Sequence, residues 1–420
     1  MIGSKSRVHV TAALAALWLT ACGGGGGGDA VAPAPAPAPV ASGPTAPAPA
    51  PVAGTPAPAP VAGTPAPAPT PAPAPAIGAS FSVPASLAAT PKVYHWVSSD
   101  AAGDVLLAGE ASGGSLDLST DGGTTWTSPA GLPGGTWISS DMSADGTHLV
   151  AVQYQGAGMF MSADKGATWT AVTSPAFPTA TQPGGSVDGV SFESVTMSQD
   201  GLHLVAVIQQ GRMVISNDGG LTWTTPTLPV STGSTQDLPW RSVDSSADGT
   251  VIVAAAQDGQ IFRSTDSGAT FQLIVDPAAA TNPTPNLDNW YRIKVSGDGK
   301  TIVVVGNTFG GAPGKGIYVS HDQGATFTTG LSLTIDYTAI AVSADGQTIA
   351  VTASTTGAEA GRVLLSTDGG ATFTAVTPAN TTEPNWRATA LSADAKKLVV
   401  AAGNFTRATQ GQLYVSPATP

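Results

Sequence analysis

The sequence predicts an all-β fold: a seven-bladed β-propeller of four-stranded antiparallel blades, closed by an N-terminal strand that completes the last blade. Three observations carry this. A box of the form Ser-x-Asp-x-Gly-x-Thr followed by Trp or Phe starts at Ser119, Ser162, Ser216, Ser264, Ser320 and Ser366, and these first residues lie 43, 54, 48, 56 and 46 positions apart. A period near fifty residues marks an array of like units. Seven aromatic strand openings accompany the six boxes, and the pieces that would balance the count lie at opposite ends of the chain.

Composition agrees with a turn-rich β protein. Charged residues make up 10 %, Gly numbers 51 and Pro 35 in 420 residues, and nothing favours long helices. The net charge of −12 without a basic cluster argues against nucleic-acid binding. A single cysteine excludes an internal disulfide, and no Cys/His group has metal-ligand spacing, so neither metal nor cofactor is expected.

At the N-terminus, Lys5 and Arg7 precede an apolar run from Val8 to Leu19, which is the layout of a signal peptide over residues 1–21. It ends Leu19-Thr20-Ala21-Cys22, which resembles the bacterial lipobox. The resemblance implies that Cys22 is diacylated and becomes the mature N-terminus. Gly23 in the following position, rather than Asp, implies delivery to the outer membrane. Multiple acyl chains hold a protein stably on a bilayer. Residues 22–76 then form a tether: Gly23 to Gly28 is flexible, and Val31 to Ala76 is nearly all Pro, Ala, Val, Gly and Thr. Such a tract cannot bury a core and favours polyproline II, so its 46 residues reach about 140 Å.

Residues 77–420 carry the repeats. Each unit opens on an aromatic: Trp96, Trp137, Phe192, Trp240, Trp290, Tyr337 and Trp386. About six residues later comes Asp145-Gly146, Asp200-Gly201, Asp248-Gly249, Asp298-Gly299 or Asp345-Gly346, the dipeptide of two-residue hairpins; Gly103-Asp104 and Asp394-Ala395 are degenerate versions. An apolar run such as Val251 to Ala256 follows, and its unbroken hydrophobicity implies a strand covered on both faces. A third strand, such as Gly316 to Val319, enters the box, and the Trp or Phe after the box begins a fourth.

The seventh unit stops at Leu413-Tyr414-Val415-Ser416-Pro417, which matches Ile317 to His321 only up to the box serine. It lacks a fourth strand. Ahead of the first unit, Ala79 to Leu87 matches Thr124 to Leu132, an orphan fourth strand. Phe81 to Val83 is therefore expected to complete blade seven and latch the ring.

Within each box, Asp121, Asp164, Asp218, Asp266, Asp322 or Asp368 can accept hydrogen bonds from its own turn, Gly permits a left-handed backbone, and the aromatic anchors the next strand. The boxes resemble those of the Asp-box, or BNR-repeat, proteins, which include sialidases. The repeats are also similar to those of photosystem II assembly-factor propellers, a non-catalytic branch. The resemblance implies the propeller and leaves the chemistry open.

Blade topology puts the boxes and the Asp-Gly turns on one face. The long segments Thr173 to Ser191, Thr225 to Pro239, Val275 to Asn289, Asn307 to Lys315, Ser354 to Ala360 and Gly403 to Gly411 occupy the other, where variable loops carry function. The opening indoles Trp96, Trp137, Trp240, Trp290 and Trp386 form either a sugar-stacking ring at that face or a repeated core position between blades; the repetition favours the core.

Arg241, Arg292 and Arg387 follow opening tryptophans by one or two residues, and three guanidiniums at a channel mouth resemble the sialidase arginine triad. Tyr291-Arg292-Ile293-Lys294 resembles that family's Phe/Tyr-Arg-Ile-Pro, but it follows the fourth box instead of preceding the first, and Lys294 replaces the proline. The resemblance would make Tyr291 the nucleophile and Glu193 its partner; the chain has four glutamates, Glu110, Glu193, Glu359 and Glu383. Xyloglucanases also resemble this architecture and use two opposed aspartates, for which Asp188, Asp237, Asp276 and Asp288 are candidates. The reading is of a monomeric, membrane-anchored envelope lipoprotein whose non-catalytic propeller binds a protein or a glycan. The alternative is a sialidase-like or other glycoside hydrolase.

Overall fold

Fifty-residue units become blades because each supplies strands whose two faces must both be covered. In the fifth unit the strands are Trp290–Val295, Ile302–Gly306, Ile317–Ser320 and Thr328–Leu331, each antiparallel to the one before. All five residues of Ile302–Gly306 are buried, because sheets lie against both of its sides. The computed structural model describes residues 81–417 except 89–91, 112–113, 157, 180–184, 187–188, 231–235, 258, 275–289, 307–315, 334, 355–360, 377, 379–384 and 405–406. The expected signal peptide, Cys22 and the tether lie outside the described residues.

The same four-strand order recurs from Thr136, Leu238 and Asp336. In the first and third units the outer strand shrinks to one bridge, Leu118 with Thr127 and Ile215 with Thr224. The seventh sheet holds Trp386–Leu391, Leu398–Asn404 and Arg407–Val415. Its outer edge is taken by Ser82, whose N–H donates to Val415 O and whose carbonyl accepts from Val415 N, both at 3.0 Å. Phe81 and Val83 pack on the cluster that holds Trp386 and Tyr414. The latch expected from the sequence is therefore present. A helical turn at Ala85–Ala88 follows it and buries Leu87, a feature the strand pattern did not announce.

Ring closure is visible in the backbone. Ala101 N donates to Ala144 O, Ala144 N to Gln199 O, Gln199 N to Ala247 O and Ala247 N to Gly297 O. Asp298 N then donates to Ala344 O, Ala344 N to Ala393 O, and Ala393 N returns to Ala101 O. This circle joins the seven first hairpins in chain order.

Those hairpins differ from the expected two-residue turns. Ser143 N donates to His148 O at 2.9 Å, which closes a four-residue loop. A type I′ turn needs positive φ at both central residues, and only Gly146 has it, at 65°. The Asp145 carboxylate instead accepts from Ser143 Oγ at 2.7 Å and Thr147 N at 2.9 Å. The pattern recurs at Asp200, Asp248, Asp298, Asp345 and Asp394.

The boxes hang beside these hairpins, as Gln323 N on Lys300 O shows. Ser320 Oγ donates to Asp322 Oδ1 at 2.7 Å and accepts from Gly324 N at 2.8 Å; Thr326 gives its N–H to Oδ1 and its hydroxyl to Oδ2. The set repeats at Asp121, Asp164, Asp218, Asp266 and Asp368. The Thr hydroxyl and amide bonds hold Asp121, Asp218 and Asp322 down to about 2. One expected loop is largely strand: Asn404 pairs with Arg407, so the hairpin runs on through the Gly403 to Gly411 stretch.

Candidate functional site

Every inner strand slips by one residue immediately after its opening aromatic. Trp290 pairs with Gly306 but Arg292 with Val305, so Tyr291 has no partner; the same slip occurs after Tyr94, Trp137, Phe192, Trp240, Tyr337 and Trp386. A β-bulge re-aims one side chain out of the pleat. The seven re-aimed residues are His95, Ile138, Glu193, Arg241, Tyr291, Thr338 and Arg387. Four of the five residues expected as an alternative catalytic set therefore share one structural position, and the fifth, Arg292, follows directly.

The opening aromatics themselves are core. Trp137, Trp240, Trp290 and Trp386 are at most 2 % exposed and meet Phe160, Phe262, Tyr318 and Tyr414 edge-on at 5.5–5.6 Å. Trp240 Nε1 donates back to Gly211 O and Trp290 Nε1 to Gly259 O, in the preceding blade. They present no stacking surface to a sugar. Trp96 is not the first unit's occupant of this slot: Tyr94 holds the equivalent register, and Trp96, also buried, packs over Gly109.

Glu193, 6 % exposed, binds Arg241 Nη1 through Oε1 at 3.1 Å, and Arg241 also reaches Gln257 Oε1 from Nε at 3.0 Å and from Nη2. Burial pushes the Glu193 carboxyl up, against the pull of Arg241 and Arg292. Arg292 lies 4.1 Å from the centroid of the Tyr291 ring, donates Nη1 to Arg241 O and Tyr291 O at 3.2 Å each, and donates Nη2 to Tyr291 Oη at 3.4 Å. Arg387 donates Nε to Gly403 O at 3.2 Å. Burial, reinforced by Arg292 and Arg387, pushes the His95 imidazole down to about 3, so it is neutral at physiological pH.

The five residues thus gather at one end of the channel, with the two that the sialidase resemblance would pair held by different arginines. Tyr291 Oη meets Arg292, and Glu193 meets Arg241; no Tyr291–Glu193 hydrogen bond joins them among the described residues. Asp237 pairs with Arg212 at 3.4 Å, and Asp188, Asp276, Asp288, Glu359 and Glu383 lie outside the described residues.

Two chambers follow one another along the channel, each lined by all seven blades. The first, about 80 Å³, carries Glu193, Arg292, His95 and Thr389; the second, about 190 Å³, opens among the first hairpins. Between Glu193 and those hairpins is a polar belt that sequence reasoning passed over. Asp141 accepts from Thr196 Oγ1 at 3.0 Å and Met197 N at 2.9 Å, and Asp244 accepts from Lys294 Nζ at 2.7 Å and Val295 N at 2.8 Å. Each carboxylate thus staples its blade to the next. Burial pushes Asp141 up; the neighbouring aspartates raise Lys294 despite its burial. The signal was the period of the strand, which puts Lys294 four residues after Trp290, where Asp244 stands after Trp240 and Asp141 after Trp137.

No family model matches the chain and no curated protein matches it. Solved structures do. YCF48 bound to D1 peptide is similar over 81 % of this chain and 97 % of that one, with a TM-score of 0.54 and 14 % identity. The GH74 xyloglucanase from Xanthomonas campestris is similar over 78 % of this chain with a TM-score of 0.53 and 20 % identity, but the match spans 43 % of the xyloglucanase. The Swd1 propeller domain of Myceliophteria thermophila matches 78 % of this chain at a TM-score of 0.53 and 11 % identity. At such identities the likeness establishes the fold alone: the chain is a β-propeller.

Proposed function

We propose that this chain is a bacterial envelope lipoprotein, held at the outer membrane by lipid on Cys22, whose Asp-box propeller binds a peptide or glycan at the bulge-side mouth of its channel. The observation that carries the binding half is that the glutamate and the tyrosine at that mouth are each already held by an arginine. Glu193 is committed to Arg241, Tyr291 lies under Arg292, and the chamber beside them holds about 80 Å³. Ligand pockets that enclose a substrate run to roughly 300–1,000 Å³. A small, prepaired chamber suits recognition of a group at the end of a larger ligand better than enclosure of a scissile bond.

The hydrolase reading keeps one point in its favour, the upward push on Glu193, which is how a general acid is prepared. The purified chain, applied to peptide and glycan arrays and then incubated with sialosides and xyloglucan oligosaccharides, separates the two. Binding without released product is expected; turnover abolished by Glu193→Gln would reverse the conclusion. The anchor is tested separately: labelled palmitate should enter the chain in bacteria and should not enter the Cys22→Ala variant, which should leave the membrane fraction.

A further inference from the structure

Two buried side-chain oxygens of residues lining the chamber have no hydrogen-bond partner among the described residues, Glu193 Oε2 and Thr389 Oγ1. Glu193 Oε1 is held by Arg241, but Oε2 is buried and makes no hydrogen bond among the described residues. Leaving a buried acceptor unmade is costly, more so when it belongs to a charged group. Across the same chamber is Arg292, a guanidinium with five N–H donors, of which the described contacts use three, all to neutral acceptors. Among the described residues it meets no carboxylate within ion-pair distance. One wall of the chamber therefore accepts, and another donates.

The charges narrow the guest. A cation entering beside Glu193 would face Arg241 and Arg292; Lys294, which also lines the chamber, is already tied to Asp244; and an anion entering beside Arg292 would face Glu193. A neutral group that donates on one side and accepts on the other offends neither. The chamber, about 80 Å³, has room for two to three water volumes, the bulk of an amide with one methyl group.

We propose that this chamber is a binding site for a secondary amide, whose N–H is accepted by Glu193 Oε2 and whose carbonyl is held by Arg292. The inference rests on the binding reading above and names the group that is bound. Both an N-acetylated sugar and a peptide end carry that group. The rest of either ligand would lie outside the chamber.

The test titrates the full-length chain with N-methylacetamide and with methyl acetate, which has the same shape but no N–H, followed by saturation-transfer NMR. The amide should bind about tenfold or more tightly than the ester, the worth of one hydrogen bond to a charged group. Glu193→Gln should weaken the amide about tenfold to a hundredfold, since its side-chain N–H₂ replaces the free acceptor. Arg292→Gln should weaken it similarly and serves as the second variant if the first does not fold, with a thermal melt as the control. Displacement of the probe by N-acetylglucosamine but not glucose assigns a sugar; displacement by an acetylated, methylamide-capped dipeptide assigns a peptide. Equal binding of ester and amide, no binding of either, or displacement by neither larger ligand overturns the proposal, with the chamber holding water only. Array binding that persists in both variants would then leave the binding reading standing without the amide site, whereas silent arrays would remove both.

Discussion

The Asp-boxes and the bulges sit near opposite ends of the same blades, and they treat repetition in opposite ways. At the box, six copies share the backbone and the side-chain chemistry: Ser, Asp, Gly and Thr close the same hydrogen bonds each time. At the bulge, seven copies share the backbone alone, and the re-aimed slot holds His95, Ile138, Glu193, Arg241, Tyr291, Thr338 and Arg387. A position that keeps its residue type is solving the same packing or turn problem in each blade. A position that keeps its geometry while the residue varies is a socket, and its occupants are free to answer to something outside the blade.

The sharpest break of that contrast is one residue wide. Trp290 fills a repeated slot and Tyr291 the adjoining socket. Trp290→Ala should lower the unfolding free energy by about 3–5 kcal/mol, through loss of the indole's burial and its bond to Gly259 O. Tyr291→Ala should lower it by about 1 kcal/mol or less, roughly its contact with Arg292, while ligand binding at the mouth falls. Urea titrations of both variants measure the difference; equal losses would mean that the socket is core after all.

A second comparison lies within the turns. Gly370 has φ +90°, and an added Cβ would stand 2.7 Å from Val319 Cγ2. Gly370→Ala should cost about 2–3 kcal/mol from backbone strain and crowding together. At the first hairpin, where blade six has Gly346 at φ 70°, blade seven already holds a non-glycine residue, Ala395 at φ 59°. Ala395→Gly should therefore gain about 0.5–1 kcal/mol, the relief of strain less the added chain entropy of Gly. Thermal melts of the pair check both signs.

The blades were legible because burial on two faces writes continuous apolar runs such as Ile302–Gly306, and the boxes because turn chemistry is local. The latch was legible because Ser82 belongs to a fragment that matches residues after the first box. The bulges were written less plainly. Within a regular strand buried positions alternate, yet from Trp290 the next buried residues are Ile293 and Val295, a step of three and then two. Among buried apolar residues alone, the same three-residue step leads from Phe192 to Val195, from Trp240 to Val243 and from Tyr337 to Ile340. It marks one residue turned aside, and it also identifies Tyr94, three before Val97, as the first unit's opening residue instead of Trp96. The Asp-Gly turns misled because the dipeptide is shared by two loop lengths; the serine two residues before each Asp, whose hydroxyl the carboxylate accepts, distinguishes the four-residue form. The axial belt was hidden for another reason: Asp141, Asp244 and Lys294 come from different blades, and only ring closure sets them side by side.

The smallest expected effect, and the one that separates the two regions by sign, is in pH. The box carboxylates of Asp121, Asp218 and Asp322 titrate at about 2 in the fold, below the ordinary value near 3.9. Their contribution is fully present above about pH 4 and is lost as pH falls toward 2. Glu193 and Asp141 are pushed up by burial, so the folded chain holds their protons more tightly than the unfolded one. Their contribution runs the other way, growing as pH falls from neutral toward their ordinary values near 4. His95 runs against them, because the unfolded chain takes up its proton near pH 6.5 while the fold keeps the ring neutral down to about 3. Stability should therefore fall on acidification, gently while Glu193 and Asp141 offset the loss and more steeply below about pH 4. Asp322→Asn should make the fall below about pH 4 shallower and leave the limb above it unchanged, while Glu193→Gln should steepen the limb between neutral pH and about 4 and leave the fall below it. If Glu193→Gln altered the acid limb instead, the bulge carboxylate would be behaving as another stapled turn, and the distinction between socket and box would not hold.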